Sequence, residues 1–513
     1  MRCIPAVLLT MMLISSFVAL AFCPSVDGES IDKDGFYYEI TGPDTVTLYE
    51  YDDDTEPDVV IPEIVPDTSY MVTAITATFD QECIINISIP GTVRSLDGNC
   101  FIAPNLTTIT VAGGTYFQAV DGVLFNFNQS KLIKYPCGKT DSEYTVSDLV
   151  VEIAPYAFED AKVEKVMTGD NLVIIGNGAF YNTESMTTIV IPESSSLTMI
   201  GDNAFCNSAI TSIALPWTLS FLGSYAFENT KLTTVTISTN IEHIGTAAFS
   251  RCSLLTAFVS ESSSYTVEDG VLFHKSKNIK SLTAYPSGKG GAEYTIPADV
   301  NSIEPSAFCG TVNLEKVTLN NILTSVPEMS FYDCGSLKSI DLSQTASIGN
   351  MAFYGCEKLT GVEFSDRLTY IGYGAFSSTA IQSIDIPSGV TLIGIGAFSD
   401  CMNLNGITFA ESNKATVSSN ILYGCLNLQN ITINSKDLKL EEGSLGVGMS
   451  EENSATVDVL VPSGYKLPAN VGNDYTTLNV SYIGERPYPW VNIVGAIVCA
   501  LGIIGILYGM RQV

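Results

Sequence analysis

The feature that most constrains this chain is a phenylalanine that returns about every 22 residues, usually behind an alanine. It stands at Phe79, Phe101, Phe158, Phe180, Phe205, Phe227, Phe249, Phe308, Phe331, Phe353, Phe376 and Phe398, and Tyr423 takes the slot in a weaker last copy. Around it the unit reads I-G-x-x-A-F-x-x-C-x-x-L-x-x-I-x-I-P. Ile371-Gly372-Tyr373-Gly374-Ala375-Phe376, followed by Ile381, Ile384, Ile386 and Pro387, shows it well. A unit this short has no room for two helices and their linkers. It fits one coil of a solenoid, a short strand followed by a turn and a compact return arm. One coil cannot bury its own apolar side, but stacked coils share a continuous core.

The slot chemistry agrees. Alternate strand residues point inward, and the aromatic fills the wider side of the coil. The glycines at Gly176, Gly201, Gly223, Gly245, Gly349, Gly372 and Gly394 are expected to allow tight or left-handed backbone. Proline after the strand, as at Pro192 and Pro387, lacks an N–H and ends the ladder.

The spacing widens twice, between Phe101 and Phe158 and between Phe249 and Phe308. Each gap holds the same object, Asp121-Gly122-Val123-Leu124-Phe125 and Asp269-Gly270-Val271-Leu272-Phe273. Asp-Gly supplies a tight hairpin turn, so both gaps read as hairpin-bearing insert coils, at about 115–137 and 264–287.

The ends read differently. Residues 1–21, with Arg2 before an apolar run and Ala19-Leu20-Ala21 as a small-x-small site, have the form of a secretory signal peptide; an uncleaved anchor is the alternative. Residues 22–71 form an amino-terminal cap with strands at Tyr37–Ile40 and Val46–Tyr49. Residues 72–437 are the solenoid, 438–483 a carboxyl-side cap and 484–490 a stalk. Val491 to Met510 is uncharged and long enough to cross a bilayer. It is expected to be a single transmembrane helix with 511–513 as a cytoplasmic tail, a lipid-anchor signal being second. Gly505 and Gly509 are spaced for a weak helix homodimer. The expected class is therefore a β-rich solenoid, a leucine-rich-repeat superhelix of about 22–23-residue coils, carrying a C-terminal transmembrane helix. The expected topology is single-pass type I at the cell membrane, ectodomain outside.

A net charge of −31 argues against a nucleic-acid partner, whose recognition is led by cations. The outward strand positions are rich in hydroxyls: Thr107, Thr108, Thr110, Thr187, Thr188, Thr211, Thr233, Thr234 and Thr236. Threonine favours strands in any case, but a repetitive face on a rigid solenoid is where such proteins bind, so these residues form the candidate ligand face. Cys252, Cys334, Cys356 and Cys401 each lie three residues past the phenylalanine. For Cys334 and Cys356 two readings stay open, buried thiols or a disulfide between neighbouring coils. Asn86, Asn105, Asn128, Asn430 and Asn479 head glycosylation sequons. Asp52-Asp53-Asp54 reads as a surface loop rather than a cation site. There is no elbow or metalloprotease motif, and the two histidines, His243 and His274, stand in no partnered motif. No catalytic residue, metal or cofactor is expected.

The I-G-x-x-A-F-x-x-C-x-x-L-x-x-I-x-I-P coil resembles the BspA-like, or Treponema pallidum type, leucine-rich repeat family, and the two D-G-V-L-F inserts look like variant units of it. That family consists of surface or secreted proteins of bacteria and parasitic protists, several of which attach to host proteins, host cells or other microbes. The resemblance implies a non-catalytic surface protein that recognises extracellular protein or glycan. The alternative is a structural coat protein with no specific ligand.

Overall fold

A computed structural model describes residues 30–97 and 99–483. The described chain consists of strands and turns and contains no helix. The described residues divide into two compact units, one up to Phe127 and one from Asn128 onward.

In the first unit β1 (Ser30–Lys33), β2 (Phe36–Gly42) and β3 (Thr45–Tyr51) form an antiparallel meander. β3 then pairs in parallel with Met71–Ile75, which pairs with Ser95–Leu96. A second parallel ladder joins Asp58–Val60, Asn86–Pro90 and Thr108–Ala112. The Tyr51 ring leans on Phe79 with centroids 5.2 Å apart, and Phe79 stacks on Phe101 at 5.6 Å. The hairpin Phe117–Val120 and Val123–Asn126 turns at Asp121 and Gly122, both with positive φ, as its two-residue turn requires.

The second unit repeats one coil. Most coils hold two strands, where a single strand was expected. The shorter one ends on the isoleucine of I-G, and its ladder runs through Glu152–Ile153, Ile174–Ile175, Met199–Ile200, Phe221–Leu222 and His243–Ile244. The longer one carries the later I-x-I pair, as in Ser383–Ile386, Gly406–Phe409 and Asn430–Ile433. The A-F segment joins the two as consecutive turns. Its phenylalanines stack face to face from Phe158 to Phe249 at 4.7–5.5 Å, and again from Phe308 to Phe398 at 4.7–5.6 Å. These rings are fully or almost fully buried, and parallel stacking at this spacing adds to the burial term of each ring.

Three expectations are corrected. The last slot belongs to Leu422, not Tyr423: the Phe398 amide bonds Ile421, as the Phe376 amide bonds Ala397, and Leu422 is fully buried. The I-G glycines are not left-handed. The positive φ falls two residues later, at Tyr156, Asn203, Tyr225, Ala247 and Met351 among others. The glycine is needed because a Cβ at Gly245 would sit 2.3 Å from the Ser224 nitrogen of the preceding coil. The fold class of the described residues is all-β rather than β with a membrane helix. Backbone hydrogen bonds here run between coils, and no helix among the described residues is long and apolar enough to cross a membrane. The single-pass type I topology, membrane localisation and membrane anchor lose their support with it. The stretch 491–510, with Gly505 and Gly509, the stalk and the tail, lies outside the described residues, as does 1–21.

Candidate recognition surface

Stacking in register turns every outward position of a coil into a vertical column. In the second unit Thr187, Thr188, Thr211, Thr233, Thr234 and Thr236 stand in or beside the longer-strand segments of successive coils. Thr188 pairs with Lys165 of the preceding coil and bridges to Ser212 of the next. The coil at 211–215 makes only that bridge, so Thr188 and Thr234 belong to separate sheets. The Thr187 hydroxyl lies 3.5 Å from the Glu164 carbonyl and 3.5 Å from the Thr188 hydroxyl, and the Thr233 backbone carbonyl accepts the Thr256 amide and hydroxyl at 3.0 and 3.3 Å. In the first unit Thr107 and Thr110 hydroxyls face the Ile85 and Ile87 carbonyls at 3.2 and 3.4 Å, and Thr108 lies 3.4 Å from Thr107.

The sequon asparagines sit at strand edges and turns. Asn86 Nδ2 donates to Asp58 Oδ1 at 2.6 Å, and Asn105 Nδ2 to the Glu82 carbonyl at 2.9 Å. Asn128 Oδ1 accepts the Ser130 hydroxyl at 2.8 Å. Asn430 is exposed, and Asn479 Nδ2 donates to Asp458 Oδ1 at 3.1 Å. Asp53 accepts the amide and hydroxyl of Thr55 at 2.8 and 2.7 Å; these bonds hold its carboxyl below the usual range and make the acidic run a local turn. Among the described residues no cluster of His, Cys, Asp or Glu is arranged to hold a metal.

Cys334 and Cys356 are free thiols in the interior, each lying 3.1 Å from the phenylalanine carbonyl one coil back, Phe308 and Phe331. Burial pushes the Cys356 thiol well above its ordinary pKa, and the adjacent Cys334 adds to that.

Sequence reasoning passed over two features. One is the seam at the second insert. Arg251 N–H bonds the Cys309 carbonyl at 3.3 Å, and its guanidinium donates to Asp333, lies 3.9 Å from Glu228 and covers the Tyr332 ring at 5.2 Å. Burial raises the pKa of both carboxyls, and Arg251 opposes the rise. A cavity beside it, lined by Phe249, Tyr285, Glu304 and Cys309 among others, holds only about 20 Å³, room for one water molecule. The other is the outward column of the shorter-strand ladder. Glu152, Ile174, Met199, Phe221 and His243 stand one above another, with the Phe221 and His243 rings stacked at 4.9 Å. The residue just before the I of I-G was the signal, read down the repeats instead of along them.

A family model described as the BspA type leucine rich repeat region matches residues 151–280, 291–394 and 342–445, together more than half of the chain. The chain belongs to this family. BspA-type membership accounts for the coil just described, and the fold and family are those of a non-catalytic leucine-rich-repeat scaffold. Solved structures similar to this BspA-type chain include a leucine rich cell surface protein of Faecalibacterium prausnitzii, 24% identical over 79% of this chain and 94% of that one, with a TM-score of 0.43. A leucine-rich repeat protein of Eubacterium ventriosum is 17% identical over 86% and 97%, with a TM-score of 0.44. The pneumococcal vaccine antigen PcpA is 20% identical over 88% and 99%, with a TM-score of 0.42. No curated protein matches the chain.

Proposed function

We propose that this protein is a surface-associated or secreted recognition scaffold that binds an extracellular protein or glycan through its outward strand columns. One observation carries the reading. Inward positions are nearly constant from coil to coil, whereas the outward residue on the same short strand changes from Glu152 to Ile174, Met199, Phe221 and His243. Packing explains the constancy. It places no such demand on the outward side, where the variety suits contact with something else. The threonine columns are a second candidate face on the same scaffold, and the sequons are candidate glycan sites at its edges.

The test is a binding screen of the purified chain against extracellular matrix proteins, cell surfaces and a glycan panel. Saturable binding that falls when outward residues of adjacent coils are changed to Lys supports the reading. No saturable binding, together with dense and even display on its own cell, would instead make the protein a coat, a role its net charge of −31 would suit.

A further inference from the structure

The shorter-strand column of the second unit points to a partner of definite chemistry. Ile174, Met199 and Phe221 are half-buried and His243 is exposed. The parallel register sets each directly over the one before, giving a continuous apolar and aromatic strip three to four coils tall. The fold does not require it. In the corresponding slot farther along, the ladder reads Ser325, Ser347, Tyr370, Leu392, Thr416 and Lys439, so polar residues serve there as well. Aromatic and methionine side chains on a rigid, partly desolvated strip are what interface centres are made of. Trp217, 62% exposed, stands four residues ahead of Phe221 at the corner leading into that strand.

The charges flanking the strip from Ile174 to His243 are acidic. Glu242 adjoins His243 in sequence, and Asp170 and Asp202 occupy the turns entering and leaving the short strands; all three are exposed. The Asp170 carboxylate accepts the Ser194 hydroxyl at 2.6 Å, and the Asp202 carboxylate accepts the Ser224 amide at 2.7 Å. Glu152 at the lower end is paired with Lys131 at 2.7 Å. From 153 to 250 the basic residues are Lys162, Lys165 and Lys231, and each stands in or just ahead of a longer-strand segment. An apolar strip with an acidic, unneutralised rim fits an occupant that brings both apolar side chains and positive charge.

We propose that the column Ile174–Met199–Phe221–His243 is a docking surface for a cationic protein segment, one in which Lys or Arg alternates with aliphatic or aromatic residues. The apolar side chains lie along the strip, and the basic ones reach the carboxylates of Asp170, Asp202 and Glu242. The inference deepens the recognition reading and rests on it.

The experiment uses the purified full chain and three sets of short fluorescently labelled peptides, followed by anisotropy at low and at raised salt. One set alternates Lys or Arg with Leu or Phe. The second replaces the basic residues by Glu, and the third replaces the apolar ones by Ser. Only the first should bind, more weakly as salt rises. Met199→Ser with Phe221→Ser should weaken it by about tenfold or more, and Val259→Ser on the other ladder should leave it unchanged. Asp170→Lys with Glu242→Lys alters exposed groups only and should also weaken binding, so the proposal stays testable if the apolar double variant unfolds. Absence of binding by the first set, equal binding of all three sets, or undiminished binding by both double variants overturns it. So does a glycan whose binding the strip variants abolish. If the chain binds an extracellular protein and the strip variants bind it equally well, this proposal fails and the recognition reading survives; a chain that binds nothing in the wider screen sinks both.

Discussion

The sulfur of Cys356 lies 3.1 Å from the carbonyl oxygen of Phe331, one coil below. The same relation ties Cys252 to Phe227, Cys401 to Phe376 and Cys425 to Phe398, at 3.0–3.1 Å. A weak S–H donor thus adds a bond to the phenylalanine carbonyl one coil back, which at Phe331 also accepts the Cys334 amide at 3.2 Å. Thr379 fills the same slot and bonds the Phe376 carbonyl of its own coil at 2.9 Å. Cys356→Thr should therefore cost about 1 kcal/mol or less, read as a small shift in the denaturant midpoint. Ellman's reagent should titrate these interior thiols only after unfolding. A cross-linked Cys334–Cys356 peptide in non-reducing mass spectrometry would decide for the disulfide instead.

Phe353 is fully buried between Phe331 and Phe376, with centroids at 5.3 and 5.0 Å. Phe353→Ala removes a ring that two neighbours contact face to face and leaves a cavity that rigid coils cannot close. A loss of about 3–5 kcal/mol is expected. Hydrogen exchange should show the loosening first in the coils on either side, because each coil contacts mainly its neighbours. Equal loosening over the whole unit would contradict that.

Arg251 joins coils that lie 82 residues apart in sequence. The intervening insert places Tyr285 in the ring stack, 5.2 Å from Phe308, and Arg251 N–H meets the Cys309 carbonyl directly. Its side chain neutralises Glu228 and Asp333, which burial alone would push toward protonation. Arg251→Met keeps the stem and leaves both carboxyls without their cation; because the Asp333 side chain is 41% exposed, solvent screening holds the expected cost to about 1–2 kcal/mol near neutral pH. Adding Glu228→Gln and Asp333→Asn should recover part of that loss. A double-mutant cycle in urea measures the coupling.

Much of this was legible in the repeat and some was not, for physical reasons. Period and core slots show in sequence because burial admits few residue types, as with Phe158 to Phe398. The short I-G strand was missed because two residues cannot display a period of two, and its outward member, as at Phe221, is free to vary. For the I-G glycine, tight and left-handed backbone both stayed open because the two leave the same mark on a sequence; the ordinary φ and the 2.3 Å that would separate a Gly245 Cβ from Ser224 decide against the left-handed one. Arg251 was hidden because its partners come from coils on the far side of an insert. The candidate faces were half visible: Thr187 and Thr233 stood out by composition, whereas Met199 and Phe221 become neighbours only once the register is known.

Gly245→Ala tests that distinction directly. The added methyl would meet backbone atoms of Gly223 and Ser224 at 2.3–2.7 Å, and these cannot rotate away as a side chain would. Separation of two coils should cost about 1–3 kcal/mol. Gly335→Ala, where nothing lies within 4 Å and φ is not positive, should be nearly neutral. Equal effects in thermal unfolding would mean that the coils are not packed as described.

Stability should also depend on the protonation of Glu304. Burial pushes its pKa up to about 6, above the ordinary glutamate value near 4.3 expected when unfolded. Below both values the residue is neutral in either state and adds no penalty. Between them the folded state holds a proton that the unfolded state has released, so stability falls as pH rises through that window and stays lower above about 6. The Thr283 side chain opposes the rise in part, and His274 Nδ1 lies 4.0 Å from Glu304 Oε1. Glu304→Gln removes the charge. It should stabilise the protein at pH 7 and have little effect at pH 4, so that the difference between wild-type and variant midpoints in urea grows with pH. A difference that is flat in pH, or of opposite sign, would show that the Glu304 carboxylate is well solvated beside His274.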